Sequence, residues 1–290
     1  MRTALTISLA LGIIGIIAWA RPASVVSGLA QEQLWAKKTT WENQCDIVFA
    51  GDSRVYRSLS PAIFRRIIKD SHPCNFGFSG NGYGDEYLAR INSLWLPKGD
   101  GTPRHILVLG ITPASLTQFA VQDNDYLSYA HRSLMERYML GWFGGFLKPF
   151  GPLVKEKTYH QHFYEDGWVA SFPKIEEPEK GLLMYRKLWD KVHVSSEASR
   201  QVLRSVRSWQ SSGVEVYGFE PPTSQSMREL EQSRSGFDVD SFKRAFQIAG
   251  GHWINVPLKY HSYDGSHLTA AAALKLSSDL AHTIKNQSGL

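Results

Sequence analysis

The sequence predicts an α/β protein: a three-layer α/β/α sandwich on a parallel, flavodoxin-like sheet, with an aromatic-rich insertion and an apolar N-terminal helix. Three observations lead there. Short apolar segments alternate with longer helical ones beyond residue 45. His105–Leu109 (HILVL) is a continuous apolar run, the pattern of a strand buried on both faces. The residues able to do chemistry fall just after apolar segments, at the carboxyl ends of the expected strands.

At the N-terminus, Arg2 precedes Ala4–Ala20, an uncharged apolar run closing at Arg21-Pro22. A positive residue followed by such a run is the secretory pattern, and Ala18-Trp19-Ala20 offers a small-x-small cleavage site. The run is long for a cleaved segment and slightly short of the roughly 20 residues that span a bilayer, although Ser24–Leu29 extends it. Residues 1–25 are therefore expected to form an uncleaved signal anchor. A cleaved signal peptide and a buried core helix are the alternatives. The anchor implies a single-pass protein of the cell membrane with an extracytoplasmic domain; cleavage implies a secreted or periplasmic one.

Residues 26–44 read as a connector, polar and aromatic over Gln31–Trp41. The expected strands are Asp46–Ala50, Asn75–Phe78, His105–Leu109, Val214–Phe219 and His252–Val256. Ser60-Pro61 supplies an N-cap and first-turn proline for a helix through Lys69. Further helices are expected at Gly84–Leu94, Glu197–Gln210, Asp240–Ala249 and Leu268–Lys285. The α/β domain thus comprises residues 45–118 and 190–290.

Cys45 and Cys74 open the first two strands, each six positions before a glycine (Gly51, Gly80). Parallel neighbouring strands would place both sulfurs at one sheet edge, which allows a disulfide; two buried thiols are the other reading.

Phe119–Trp189 breaks the alternation, holding 15 of the chain's 35 aromatic residues in 71 positions. Gly144-Gly145 and Pro149-Phe150-Gly151-Pro152 add turn signals. The segment is read as an insertion capping the carboxyl ends of the strands, or as a membrane-facing or subunit-packing lobe. Trp142, Trp168 and Tyr164 offer stacking surfaces for a sugar ring.

Composition narrows the class. With 43% hydrophobic residues, 24 Gly and 13 Pro, the chain is neither disordered nor low-complexity. A formal charge of +5 with scattered Lys and Arg does not indicate nucleic acid. His160-Gln161-His162 lacks a third ligand and no Cys-His spacing is present, so no metal is expected. Gly82-Tyr83-Gly84 is not followed by Lys-Ser/Thr and reads as a turn.

The chemistry lies in two short motifs. Gly51-Asp52-Ser53 follows the first strand, and Asp264-Gly265-Ser266-His267 sits between the last strand and the last helix. A carboxylate three residues before a histidine can hold the tautomer that accepts a serine proton. That spacing favours His267 over His252 and His261 as the base. Nucleophile, base and orienter would then meet at one sheet edge.

These blocks, with Asn75-Phe76-Gly77-Phe78-Ser79-Gly80 between them, resemble the SGNH (GDSL-like) hydrolase superfamily, particularly membrane-anchored extracytoplasmic members linked to surface-polymer modification. They run in the expected order from Asp46 to Leu268; the insertion has no recognised counterpart. The resemblance implies Ser53 as nucleophile, His267 and Asp264 as base and orienter, and the Ser53 and Gly80 amides as oxyanion donors. It further implies an acyl-serine intermediate resolved by water (esterase or deacetylase) or by a sugar hydroxyl (O-acetyltransferase). The substrate would be an acylated carbohydrate of the cell envelope or an exopolysaccharide, or another ester, with a membrane-bound acyltransferase as candidate partner. No cofactor is implied. Two positions depart from the pattern. Gly110-Ile111-Thr112-Pro113 stands where Gly-x-Asn-Asp is usual, leaving Thr112 or Asn81 to supply the missing donor. Arg54 replaces an apolar residue, and either binds an anionic substrate group or is salt-bridged or solvated. The alternative to an enzyme is a noncatalytic glycan-binding module or an assembly scaffold of the cell envelope.

Overall fold

A computed structural model describes residues 2–19, 26–97, 104–144 and 159–290 of the chain. Helix α1 (Arg2–Trp19), strand β1 (Val26–Gly28) and helix α2 (Gln31–Thr39) come first. The alternation follows as β2 (Ile47–Ala50), α3 (Ser53–Ser58), α4 (Pro61–Ile67), β3 (Pro73–Asn75), α5 (Asp85–Ile91) and β4 (Ile106–Gly110). Beyond β4 lie α6 (Gln118–Gln122), α7 (Asp125–Ala130), α8 (Leu134–Phe143), β5 (Tyr159–Phe163), β6 (Val169–Pro173) and α9 (Pro178–Trp189). The chain closes with α10 (Ser196–Ser211), β7 (Glu215–Phe219), α11 (Gln225–Arg234), α12 (Val239–Ile248), β8 (His252–Ile254) and α13 (Ala270–Ser288).

The main sheet has the order β3-β2-β4-β7-β8, and every pair in it is parallel. Its pleat divides the core in two. Val48, Ala50, Leu107 and Leu109 join one apolar cluster; Ile47, Phe49, Ile106 and Val108 join the other. Both faces are covered, which is why these strands read as unbroken apolar runs. Because β2 is followed by β3 on one side and β4 on the other, the order reverses at β2, and a crevice opens beyond its carboxyl end.

Several boundaries differ from expectation. The second strand is Pro73–Asn75, two residues earlier than Asn75–Phe78, because Ile47, Val48 and Phe49 pair with Pro73, Cys74 and Asn75. Phe76 and Phe78 still donate to Phe49 and Gly51 carbonyls as the chain leaves the sheet. Ser60 and Pro61 do start α4, but the Ser60 hydroxyl makes no capping bond. The supposed connector is largely helix: α2 buries Leu34, Trp35, Ala36 and Lys38, with Trp35 packed against Tyr56 and Phe78. Three consecutive buried positions carry no helical periodicity, so the pattern gives no warning of it. Helices α3 and α11 likewise have no counterpart among the expected elements.

The insertion is not a separate lobe. Its hairpin β5–β6 pairs with β1 in a second, three-stranded sheet, and Phe163, Trp168, Val169 and Ala170 reach the two core clusters. The turn signals at Gly145 and Pro149–Pro152, and the Ala20-Arg21-Pro22 end of the apolar run, lie outside the described residues. Among the described residues no helix is long and apolar enough to cross a membrane.

Cys45 and Cys74 form a disulfide with a Cα–Cα distance of 5.9 Å, joining the lead-in of β2 to β3. It closes a separation of 29 residues, for which the loop-entropy model gives about 3–4 kcal/mol. Replacing both cysteines by alanine is expected to lower unfolding free energy by about that amount. An unchanged denaturant midpoint would show that the bridge does not constrain the unfolded chain.

Candidate active site

The site begins with a corner that only glycine permits. Gly51 leaves β2 at φ +151°, and a Cβ there would lie 2.4 Å from Val55 Cγ2. Tyr83 and Tyr87 hold the corner. The Tyr83 hydroxyl lies 3.1 Å from the Ala50 carbonyl and 2.9 Å from that of Gly110, while Tyr87 accepts from the Gly51 N–H. Asp52 is the N-cap of α3, its Oδ1 accepting the Arg54 N–H at 2.9 Å. Ser53 is therefore the first helical residue, with its amide at the helix start, where no intrahelical acceptor exists.

His267, the base expected from the sequence, arrives on the loop before α13. Gly265 takes a left-handed conformation (φ +81°), so that Asp264 Oδ1 accepts the Ser266 and His267 N–H groups at 2.9 and 2.7 Å. Helix α9 braces this loop: Gly181 lies so close to the Asp264 carbonyl that a Cβ would overlap it. The result joins residues 214 positions apart. Ser53 Oγ lies 2.8 Å from His267 Nε2, and His267 Nδ1 lies 2.7 Å from Asp264 Oδ2. With Nδ1–H donating to the carboxylate, Nε2 is left to accept the serine proton.

The electrostatics suit that role. Burial, then the nearby Arg57 guanidinium, push the His267 imidazole below its ordinary value of 6.5, outweighing the opposite pull of Asp264. His267 is thus neutral at pH 7. Burial would raise Asp264, but the charge and hydrogen bonds of His267 outweigh it and hold the carboxyl well below the usual carboxylate range.

Ser53 and His267 open into a cleft of about 320 Å³ whose floor includes Ser79, Gly80 and Asn81. Gly80 adopts φ +62°. Among the described residues, neither its N–H nor that of Ser53 donates elsewhere. The Asn81 side chain is fully buried, and neither its Nδ2 nor its Oδ1 has a partner among the described residues. An orphaned buried amide costs about 1–3 kcal/mol; Asn81 is one of the residues that line the cleft. Gly82, whose N–H donates to the Ala120 carbonyl, holds this loop against α6.

Four expectations are corrected. Thr112 is not an available oxyanion donor: its hydroxyl donates to Asp52 Oδ2 at 2.6 Å and accepts the Ser115 N–H. Arg54 does not face substrate. It is 1% exposed, pairs with Glu231 through both terminal nitrogens (3.0 and 2.6 Å), and donates to Ser266 Oγ through Nε at 2.9 Å. Trp142 lies on the exposed surface of α8, bordering a different cavity with Lys37 and Arg137. Trp168 is buried, donating its indole N–H to the Arg57 carbonyl and stacking on Tyr164. Among the described residues, the insertion reaches the cleft through its two ends, with Phe119 and Ala120 from α6 and Met184, Tyr185 and Leu188 from α9. Of the other histidines, His261 pairs with Glu176 and His252 stacks on Tyr217.

Sequence reasoning missed Arg57, Tyr185, Glu231 and Ser266. Arg57 had a signal, standing four residues after Ser53 on one helical face. Tyr185 and Glu231 had none, since only the fold brings them to Arg54.

No protein-family model matches the chain, and no curated protein does. Solved structures give distant likenesses. One is Est24, a carbohydrate acetylesterase from Sinorhizobium meliloti, at 12% identity and TM-score 0.38, covering 83% of this chain and 98% of that one. A second is an aryl esterase of M. smegmatis at 11% identity and TM-score 0.36, covering 83% and 98%. A third is an active-site mutant of a family two carbohydrate esterase from Clostridium thermocellum at 13% identity and TM-score 0.35, covering 84% and 64%. At these TM-scores, the likenesses do not bear on the chemistry; the geometry of this chain does.

His267 is expected to titrate below 6.5 in an NMR pH titration, and Arg57→Gln to move its midpoint upward. Because the folded state resists protonation, the stability from this group is full above pH 6.5 and declines as pH falls toward the folded value. Arg54→Met leaves Glu231 buried and unpaired, at an expected cost of about 3–5 kcal/mol. Arg54→Met/Glu231→Leu should recover most of that loss in chemical denaturation. A double variant no more stable than the single one would contradict the pairing.

Proposed function

We propose that this chain is a serine-dependent acyl-transfer enzyme acting on carbohydrate esters. The observation that carries the reading is the unbroken line from Asp264 through His267 to Ser53, ending in a cleft beside an unpartnered Asn81 amide. His267 Nε2 takes the Ser53 proton as Oγ attacks the ester carbonyl carbon. The carbonyl oxygen becomes an oxyanion, received by the Ser53 and Gly80 N–H groups and by Asn81 Nδ2. Asn81 thereby supplies the third donor that Thr112 does not. Collapse breaks the bond to the leaving alcohol, which departs with the proton from His267, and leaves an acyl-serine. A second hydroxyl, deprotonated by His267, then releases the acyl group. Water as that hydroxyl gives an esterase or deacetylase; a sugar hydroxyl gives an O-acetyltransferase. The cleft suits a small acyl group, with Phe119, Met184 and Leu188 as its apolar border.

We further propose an extracytoplasmic setting with α1 as membrane anchor, and a cell-envelope or exopolysaccharide substrate. The Cys45–Cys74 bridge suits an oxidising compartment. Helix α1 exposes Ile7, Leu9, Leu11, Ile13, Ile14 and Ile16. Its 18 residues rise about 27 Å against a hydrocarbon core of about 30 Å, so a full span draws on residues after Trp19.

A fluorophosphonate probe is expected to label the wild-type protein at Ser53 and to leave folded Ser53→Ala unlabelled; no labelling of wild type overturns the reading. Against a chromogenic acetyl ester, Asn81→Ala should lower kcat by roughly 10²–10³ with KM little changed. A kcat within about twofold of wild type removes Asn81 from the oxyanion site. Product analysis with and without a glycan acceptor separates hydrolysis from transfer.

A further inference from the structure

Helix α8 is amphipathic in the inverted sense. Leu134, Met135, Tyr138, Met139, Trp142 and Phe143 are all exposed. At about 100° per residue they fall within one half of the helical wheel. The opposite half is the one that packs. Gly141 and Gly144 lie against Lys37 and Gln33 of α2, and Arg137 Nη1 donates to the Thr39 carbonyl at 3.0 Å. Ser133 and Glu136 close a capping box at its start. The helix is therefore fixed in place with its apolar side outward, an arrangement that water disfavours.

We infer that α8 lies flat on a lipid surface, with its outward half immersed at the boundary between headgroups and acyl chains. Two features select lipid. First, the apolar half carries Tyr138 and Trp142, ring types that settle at that boundary, and Lys37 Nζ lies 5.9 Å from the Trp142 ring centroid. Lys37 also pairs with exposed Glu165, so the rim of the face is charged while its centre is apolar. Second, the chain ties this face to the proposed anchor, a step that rests on the membrane reading of α1. Six residues separate Trp19 from Val26, a reach of at most about 24 Å. Two residues separate β1 from α2, and α8 is packed on α2. An inserted α1 thus holds the lobe of β1, α2 and α8 beside the bilayer.

The test uses the full chain carrying either Met139→Cys or, on the exposed side of α10, Arg200→Cys, each labelled with an environment-sensitive fluorophore. The native cysteines are occupied by their disulfide. The proteins are mixed with vesicles of phosphatidylglycerol and brominated phosphatidylcholine. Quenching by about half or more at position 139, with little at 200, is expected. Without any label, Trp142 fluorescence is expected to shift to the blue when vesicles are added, and Met135→Glu/Met139→Glu should abolish that shift while folding, checked by melting, is kept. Flotation with vesicles but no quenching at 139 overturns the α8 inference and leaves the α1 anchor standing. Neither flotation nor quenching overturns both. Cross-linking of two Met139→Cys copies through the introduced thiols, without quenching, assigns the face to a second copy and overturns the lipid assignment.

Discussion

A buried guanidinium ties the two ends of the chemistry together. Arg54 follows Ser53 and donates to Ser266, which precedes His267. The residues adjoining Ser53 and His267 are thus joined by a single hydrogen bond. The Tyr185 hydroxyl completes the cluster at 2.9 Å from Ser266 Oγ, and Glu231 neutralises the arginine. A lone buried charge is prohibitive, so Arg54 and Glu231 stand or fall as a pair, with Ser266 and Tyr185 completing their hydrogen-bonded unit. The Ser53–His267 contact is preorganised by that unit, with no substrate needed to assemble it.

The ends of β2 and β4 obey a related constraint. Asp52, buried at the end of β2, must be satisfied, and the Thr112 hydroxyl after β4 does so at 2.6 Å. That commitment removes Thr112 from the cleft and joins the ends of two adjacent strands. The loop after β3 carries the unsatisfied amide instead. Asn81 is the one buried side chain in the cleft whose hydrogen-bonding capacity is wholly unspent among the described residues. Among the described residues, the Thr112 hydroxyl is spent on Asp52 while the Asn81 amide is unspent, the contrast on which the proposed oxyanion role of Asn81 rests.

The segment between β4 and α10 is divided in its tasks. Its ends, α6 and α9, border the cleft, and α9 also supplies Tyr185 and braces the Asp264 loop. The described part of its middle packs α8 against α2 and the β5–β6 hairpin against β1, and Trp168, just before β6, donates to the Arg57 carbonyl on the Ser53 helix. The richness in aromatics is accounted for in both places: Tyr126, Tyr129 and Phe163 fill core, whereas Trp142 and Phe143 remain on the surface. An aromatic count alone does not distinguish these fates.

The layered α/β architecture and the pairing of Ser53 with Asp264 and His267 were legible in the amino-acid order, because both rest on local regularities. Parallel strands buried on two faces must be apolar throughout, and a carboxylate three residues from a histidine can reach its ring. What only the tertiary structure decided are the partners of single polar side chains. Whether Arg54 meets a substrate or Glu231, whether Thr112 or Asn81 is left unspent, and whether Trp142 borders the cleft or another cavity depend on contacts between residues far apart in the chain. Burial selects those contacts because an unpaired buried charge or polar group is costly, and no local pattern records which partner is found.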